Sequence, residues 1–189
     1  VALLGESVCY YKVGLTLLAQ GGLSLCDELK AQGKSVFQDW KLHDIGAQVE
    51  GAARAAVGGA CDLLTVHAEP QVLAAAVKGV QGSGLKVLGV TVLTSLSAAD
   101  LDEIGYGLGV EALVERRIRQ AIDAGDDGVV ASPHEAALAR RIGGPDFLVV
   151  TPGVRPAWAG ADDQARASTP AEALRAGASH LVCGRPVTA

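Results

Sequence analysis

Short apolar runs alternate with longer helical patterns along almost the whole 189-residue chain. Each run has the length and composition of a β-strand that is buried on both faces. Alternation of this regularity predicts parallel β/α units, and therefore the α/β class. The seven predicted strands are Val8–Val13, Ser35–Trp40, Leu63–Val66, Val87–Leu93, Gly128–Ala131, Phe147–Thr151 and His180–Cys183.

Periodic apolar residues between the strands predict helices, and several of these end at a glycine, as at Gly125 and Gly177. The segment from Thr169 to Glu172 is typical of a helix start. Thr169 can cap, proline suits the first helical position, and Glu172 completes a capping box. The predicted helices are Leu17–Ala31, Val49–Val57, Val72–Val80, Val110–Ala124, Glu135–Ile142 and Pro170–Ala176.

Seven strands fit either a doubly wound open sheet or an eight-stranded barrel. A helix remnant at Ala2–Gly5 suggests that one further strand lies upstream, which favours the barrel. We therefore expect a TIM (β/α)8 barrel that lacks its first strand and last helix in this sequence. No linker, repeat or low-complexity stretch divides the chain, so residues 1–189 are predicted to form one domain.

Composition excludes some classes of function. The net charge of −5 argues against a nucleic-acid-binding protein, and no apolar run approaches the length of a membrane span. The cysteines form no C-x-x-C pair, and most lie in apolar runs, so a zinc site or a disulfide framework is not expected. They are predicted to be reduced, mostly buried thiols of a cytoplasmic protein. They are Cys9, Cys26, Cys61 and Cys183.

Charged residues cluster at two predicted strand ends. Asp39 and Lys41 are two positions apart, so their side chains should share a face, and Asp44 follows at the strand–helix turn. Lys12 ends the preceding strand, and a barrel would bring all four residues together. Charges in apolar strands are costly to bury unless they are paired. The cluster is therefore either a structural ion network or a catalytic array.

The segment Asp39-x-Lys41-x-x-Asp44-Ile45 resembles the D-x-K-x-x-D-I signature of the orotidine 5′-phosphate decarboxylase family. The first part of this signature is shared with related sugar-phosphate decarboxylases, and the later motifs are more specific. The resemblance covers essentially the whole chain. The other matching segments, in the family's order, are Tyr11–Gly14, Val66–Ala68, Val90–Ser95, Thr151–Pro156, Asp163-Gln164 and Gly184–Pro186.

The resemblance implies conversion of orotidine monophosphate to UMP and CO2 with no metal and no organic cofactor. Lys41 would stabilise the carbanion at C6 and donate the proton, and Asp39 would hold Lys41. Lys12 would position Asp39 and contact the ribose. The family residue that matches Asp44 reaches into the neighbouring subunit's site, which implies a homodimer.

The resemblance also implies a phosphate site and a lid. Residues 156–163 match a loop that closes over the phosphate, and Gln164 matches a glutamine that bridges phosphate and base. Thr94 matches a residue near the pyrimidine. Taken alone, residues 156–163 also fit an ordinary surface loop, and Thr94 fits a helix cap. Gly184 and Arg185 fit a strand exit with a surface arginine. The remaining predicted substrate contacts are Pro152, Arg155, Gly184 and Arg185.

The sequence departs from the family after Ile45, where Gly46-Ala47-Gln48 replaces the usual Pro-Asn-Thr. Gln48 stands where a threonine contacts substrate, and we expect it to serve as a contact from the partner subunit. The family's aspartate on the first strand has no match and would lie upstream of Val1. His43 is expected to bond locally, and His67 to pack behind the site.

Two other functions remain open. One is a Mg²⁺-dependent decarboxylase of sugar acid phosphates, in which Glu69 would be a metal ligand. The other is a barrel that has kept the fold without catalysis. The Thr151–Pro156 block argues against the first alternative, and the set Lys12, Asp39, Lys41 and Asp44 argues against the second.

Overall fold

The computed structural model describes residues 1–156 and 168–188, and its backbone divides into two compact units. The first unit contains Val1–His67 and Gln71–Val87. The second contains Ala68–Pro70 and the described residues from Leu88 onward. The expectation of a single domain over residues 1–189 stays a prediction.

In the first unit, parallel strands pair in chain order, β1 with β2 and β2 with β3. A helix remnant was predicted at Ala2–Gly5, whereas the structure has a short 3-10 turn at Gly5–Ser7 that shares only Gly5 with it. The strands are β1 (Tyr10–Gly14), β2 (Ser35–Leu42) and β3 (Leu63–His67), and the helices are α1 (Leu15–Leu18), α2 (Gly22–Ala31), α3 (Gly46–Val57) and α4 (Pro70–Val80).

The second unit follows the same rule, with β4, β5, β6 and β7 paired in parallel and in chain order. Its strands are β4 (Lys86–Val90, whose first two residues belong to the first unit), β5 (Gly128–Val130), β6 (Leu148–Thr151) and β7 (His180–Leu181). Its helices are α5 (Ala98–Ile104), α6 (Val110–Ala124), α7 (Ala136–Gly143), α8 (Pro170–Arg175) and α9 (Arg185–Thr188).

Every predicted strand is present, and the α/β class with strands of the TIM-barrel type is confirmed. A doubly wound sheet reverses its strand order at a switch point, whereas neither unit contains a reversal. The predicted capping box also forms: the Thr169 hydroxyl accepts from the Glu172 N–H, and the Glu172 carboxylate accepts from the Thr169 N–H.

Several boundaries were predicted wrongly. The helix expected over Leu17–Ala31 is interrupted, because Gly21 adopts a left-handed conformation with φ of 89°. Helix α5 was not predicted, although Ser97 and Asp100 form a capping box at its start. Strand β4 ends at Val90 rather than at Leu93, so Thr94 lies in a turn beyond the strand.

In the first unit, the longer helices α2, α3 and α4 bury residues on one side. Helix α3 buries Val49, Ala53 and Ala56 at helical spacing. Gly79 of α4 lies so close to α3 that a Cβ atom there would be 2.6 Å from the Glu50 carbonyl oxygen. Only glycine fits this approach, and it fixes how α4 packs beside the helix that follows β2.

In the second unit, the buried Arg117 of α6 ties several loops together. Its guanidinium donates to the Thr91 carbonyl oxygen and, over 2.6 Å, to the Tyr106 hydroxyl. The Glu69 carboxylate lies 3.7 Å from the same guanidinium. A buried cation requires such partners, so Arg117 fixes the chain on both sides of α5.

The cysteines are less buried than predicted. Cys26 is buried and Cys61 is half-buried, but Cys9 and Cys183 are exposed. Both exposed residues lie just outside the ends of their strands, where the apolar runs continue but the sheets do not. Among the described residues, no helix is long and apolar enough to cross a membrane.

Asp126, just after α6, has a buried carboxyl group in the second unit. Neither of its oxygens has a hydrogen-bond partner among the described residues. Burial, with a smaller contribution from the neighbouring Asp127 charge, raises the pKa of Asp126 to about 8. The folded chain therefore holds a proton here that the unfolded chain releases near pH 4.

We expect Asp126→Asn to stabilise the protein increasingly as pH rises. Below pH about 4 both proteins carry a neutral group at this position. Between pH about 4 and 8 the free energy of unfolding of the wild type falls by up to about 1.4 kcal/mol per pH unit. Urea unfolding at several pH values measures the difference. The exposed Asp123→Asn controls for loss of one carboxylate charge, and a pH-independent difference for Asp126→Asn would contradict the assignment.

Candidate active site

A carboxylate and two ammonium groups meet at the carboxyl ends of β1 and β2. Asp39 of β2 lies opposite Gly14 in the register, two residues beyond Lys12 on β1. Lys12 Nζ lies 3.1 Å from Asp39 Oδ2, and Lys41 Nζ lies 2.7 Å from Asp39 Oδ1. Lys12, Asp39 and Lys41 are therefore brought together as the sequence predicted, and we call them the Lys–Asp–Lys array.

Asp39 is the buried member of the array, with 9% of its surface exposed. Burial by itself would raise the pKa of Asp39. The hydrogen bond from Lys41 and the charge of Lys12 outweigh burial, and the pKa of Asp39 is lowered. The carboxylate is ionised at neutral pH, while the two lysine side chains around it remain about one-third exposed.

The backbone at Lys41 is irregular. Among the described residues, Lys41 is the one non-glycine residue with a left-handed backbone, at φ of 51°. The register of β2 against β3 shifts between Gln38 and Leu42. Over this stretch β2 advances by four residues while β3 advances by two. Asp39 and Lys41 therefore meet through a β-bulge rather than through the regular alternation that was assumed.

Thr65 of β3 contacts both residues of β2, and the sequence reasoning missed it. Its hydroxyl donates to Asp39 Oδ1 over 3.0 Å and accepts from the Lys41 N–H over 3.0 Å. Thr65 is fully buried. A hydroxyl in the otherwise apolar run Leu63–Val66 was the signal that could have identified it.

Gly14 leaves space for the Lys12 ammonium. A Cβ atom at this position would lie 3.1 Å from Lys12 Nζ, so a side chain here would require the end of Lys12 to shift by a few tenths of an ångström. Beside it opens a cavity of about 320 Å³ that could hold a small ligand. Its lining consists of the Lys–Asp–Lys array with Gly14, Leu15, Thr16 and Leu17.

Asp44 does not join the array within the chain. It is exposed, and its carboxylate accepts from the Ile45 N–H over 2.6 Å. Asp44 and the exposed Gln48 instead line a second cavity, of about 330 Å³, which Lys41 also lines. His43 lies there too, and its ring centroid is 4.8 Å from that of His67.

The second unit brings together most of the predicted phosphate contacts. Pro152, Arg155, Gly184 and Arg185 line one cavity of about 160 Å³. Arg155 is buried, and its backbone N–H donates to the Ser168 carbonyl oxygen over 2.9 Å. Arg185 is exposed and begins α9, so a helix follows it as expected. Two arginine residues in the lining of one cavity suit an anionic ligand.

One predicted contact, Thr94, is not brought into this cavity. Thr94 lies in the turn after β4, half-buried, and does not line the cavity. Gln164 lies outside the described residues, as does nearly all of the predicted lid, residues 157–163. Among the described residues, no group of three or more potential metal ligands occurs.

A family model and named relatives that are similar to this chain carry the same name. The family model described as "Orotidine 5'-phosphate decarboxylase / HUMPS family" matches residues 1–189. An orotidine 5′-phosphate decarboxylase of Caulobacter sp. (strain K31) is 68% identical over 189 residues, which span all of this chain and 82% of the relative. A Methylobacterium radiotolerans protein of the same name is 53% identical, over 98% of this chain and 80% of the relative.

Solved structures are similar as well. Orotidine 5′-phosphate decarboxylase from Lactobacillus acidophilus is 35% identical, with a TM-score of 0.81 over 94% of this chain and 78% of that one. An uncharacterized conserved protein from Geobacillus kaustophilus is 31% identical, with a TM-score of 0.83 over 97% of this chain and 82% of that one.

The left-handed backbone at Lys41 predicts an unusual order of stabilities. Lys41→Gly should be more stable than Lys41→Ala, with a free energy of unfolding about 1 kcal/mol larger, because glycine adopts this conformation without steric cost. Both variants lose the same ammonium group, so the comparison isolates the backbone.

The matched control is the same pair of substitutions at Lys12, which lies in regular β1. There the glycine variant should be the less stable one, by about 0.5–1 kcal/mol. Denaturant unfolding measures all four variants. The same order at both positions would contradict strain at Lys41.

Proposed function

We propose that this chain, which belongs to the orotidine 5′-phosphate decarboxylase / HUMPS family, converts orotidine 5′-phosphate to UMP and CO2 in pyrimidine biosynthesis. The enzyme is then a carboxy-lyase. The observation that carries the proposal is 68% identity, over the whole chain, to a relative named for this activity. The Lys–Asp–Lys array supplies the groups that the reaction needs.

The reaction breaks the bond between C6 of the pyrimidine and its carboxylate carbon. The electron pair stays on C6, in the plane of the ring, where resonance cannot spread it. An ammonium group held at C6 stabilises this charge and then supplies the proton that completes UMP. We assign both tasks to Lys41, which lines two cavities of the first unit and is held by Asp39.

Asp39 and Lys12 complete the array. Asp39 fixes the Lys41 ammonium through the 2.7 Å contact, and Lys12 holds the second oxygen of the same carboxylate. Lys12 is partly exposed to the cavity, so it is also assigned the ribose contact. A fixed charge is more effective than a mobile one, because it needs no reorganisation when the carbanion forms.

The cavity of the second unit is proposed to bind the 5′-phosphate. Arg155 and Arg185 provide positive charge there, and Pro152 and Gly184 shape the wall. Gln164 and Thr94 remain proposed contacts on the strength of the sequence motif. The phosphate is remote from C6 within the substrate. The energy of binding it can still assist the chemical step when a loop closes over the ligand.

We further propose a homodimer in which Asp44 and Gln48 reach the partner's site. The support is that Asp44 is exposed and that its carboxylate accepts from the Ile45 N–H. Ile45, beside it, is a 66%-exposed apolar residue that a partner subunit would cover. A cytoplasmic location is proposed because the described cysteines are free thiols.

The metal-dependent alternative gains no support from Glu69. Its carboxylate faces the buried Arg117 guanidinium at 3.7 Å, so the site carries a positive charge where a cation would have to bind. Binding of Mg²⁺ there would place two cations against one carboxylate.

Lys41→Ala should lower kcat by at least about 1000-fold, because it removes both the charge at C6 and the proton donor. Loss of the orotate absorbance with orotidine monophosphate measures turnover. Lys78→Ala, which changes an exposed lysine of α4, is the control and should leave kcat unchanged. Turnover by Lys41→Ala at the control's rate, or loss of wild-type turnover in EDTA, would contradict the proposal.

Mixed subunits test the shared site. Lys41→Ala and Asp44→Asn should each be inactive alone, but after unfolding and refolding together they should recover about a quarter of wild-type activity, since half the dimers then hold one intact site. Recovery of no activity, with dimers present by light scattering, would show that Asp44 acts within its own chain.

A further inference from the structure

The Thr65 hydroxyl contacts the two residues of β2 on which the chemistry depends. It donates to Asp39 Oδ1 and accepts from the Lys41 N–H, each over 3.0 Å. A threonine hydroxyl has one hydrogen to donate and two lone pairs. Because the hydrogen points at the carboxylate, the oxygen is left to accept from the amide, and the side chain is fixed by both contacts.

The amide that Thr65 binds lies at the bulge of β2. The register of β2 against β3 shifts between Gln38 and Leu42, so the Lys41 N–H sits outside the regular ladder. A buried N–H without an acceptor is costly, and a left-handed lysine persists only where its surroundings hold it. The Thr65 hydroxyl supplies the acceptor at this position.

The carboxylate that Thr65 binds also accepts the Lys41 ammonium. Asp39 Oδ1 receives Lys41 Nζ at 2.7 Å and Thr65 Oγ1 at 3.0 Å, while Oδ2 faces Lys12. The hydroxyl therefore sets the rotation of the carboxylate group. One side chain thus fixes both the backbone of Lys41 and the group that holds its ammonium.

We propose that Thr65 is a positioning residue of the decarboxylation, which fixes the Lys41 ammonium through the Lys41 backbone and the Asp39 carboxylate. The assignment rests on the proposed function of this site. Thr65 needs no contact with substrate for this role. Its loss should therefore slow the chemical step while leaving substrate binding nearly unchanged.

The test compares Thr65→Val with Thr65→Ser. Valine keeps the shape of threonine but removes the hydroxyl, so kcat should fall by about 10- to 100-fold while KM changes by less than about threefold. Serine keeps the hydroxyl and should restore kcat to within about threefold of wild type. Steady-state rates are measured on protein shown to be folded by circular dichroism.

Thr151→Val is the matched control, since it removes a fully buried strand hydroxyl that has no hydrogen-bond partner among the described residues. Its kcat should equal that of the wild type. The proposal is overturned if Thr65→Val retains wild-type kcat, if KM alone changes, or if serine fails to restore kcat.

A measurement without substrate separates this inference from the proposed function. Hydrogen exchange of the Lys41 amide, followed by NMR, should be at least about 10-fold faster in Thr65→Val than in the wild type and unchanged in Thr151→Val. Unchanged exchange would overturn the role of Thr65 even if the enzyme is active. Faster exchange in Thr65→Val, combined with no turnover by the wild type, would instead place the failure with the proposed function.

Discussion

The ionised carboxylate of Asp39 is the constraint on which the site depends. A buried negative charge is stable only with partners, and here two ammonium groups and a hydroxyl surround it. Each partner comes from a different strand, so the charge joins β1, β2 and β3 where the cavity opens. The same contacts that make burial of Asp39 tolerable hold Lys41 at the wall of the cavity, where we propose that its charge acts on substrate.

The geometry of the Lys–Asp–Lys array is obtained at some cost to regular structure. Lys41 occupies a left-handed conformation, the ladder between β2 and β3 is broken by a bulge, and Gly14 gives up a side chain beside the Lys12 ammonium. Leu15 and Leu17 of the cavity wall remain exposed. Such departures cluster where function demands them, while the rest of the first unit keeps standard strands and close helix packing.

The sequence predicted what depends on local pattern. Apolar runs located every strand, and charged residues at two strand ends identified Lys12, Asp39 and Lys41 as a cluster. It could not predict the bulge or the hydroxyl of Thr65, because register between strands and contacts across them depend on the tertiary fold. The break at Gly21 was missed because helical periodicity does not show where a chain must turn. The exposure of Asp44 was missed because its position in the sequence does not show where it lies in the fold.

The most direct test of the account is the turnover number of Asp39→Asn with orotidine monophosphate. Asparagine keeps the shape of the side chain but removes the charge that holds both lysines. We expect the wild type to turn over in the presence of EDTA and the folded variant to lose at least about 100-fold in kcat. A folded Asp39→Asn variant with kcat within about twofold of the wild type would contradict the account.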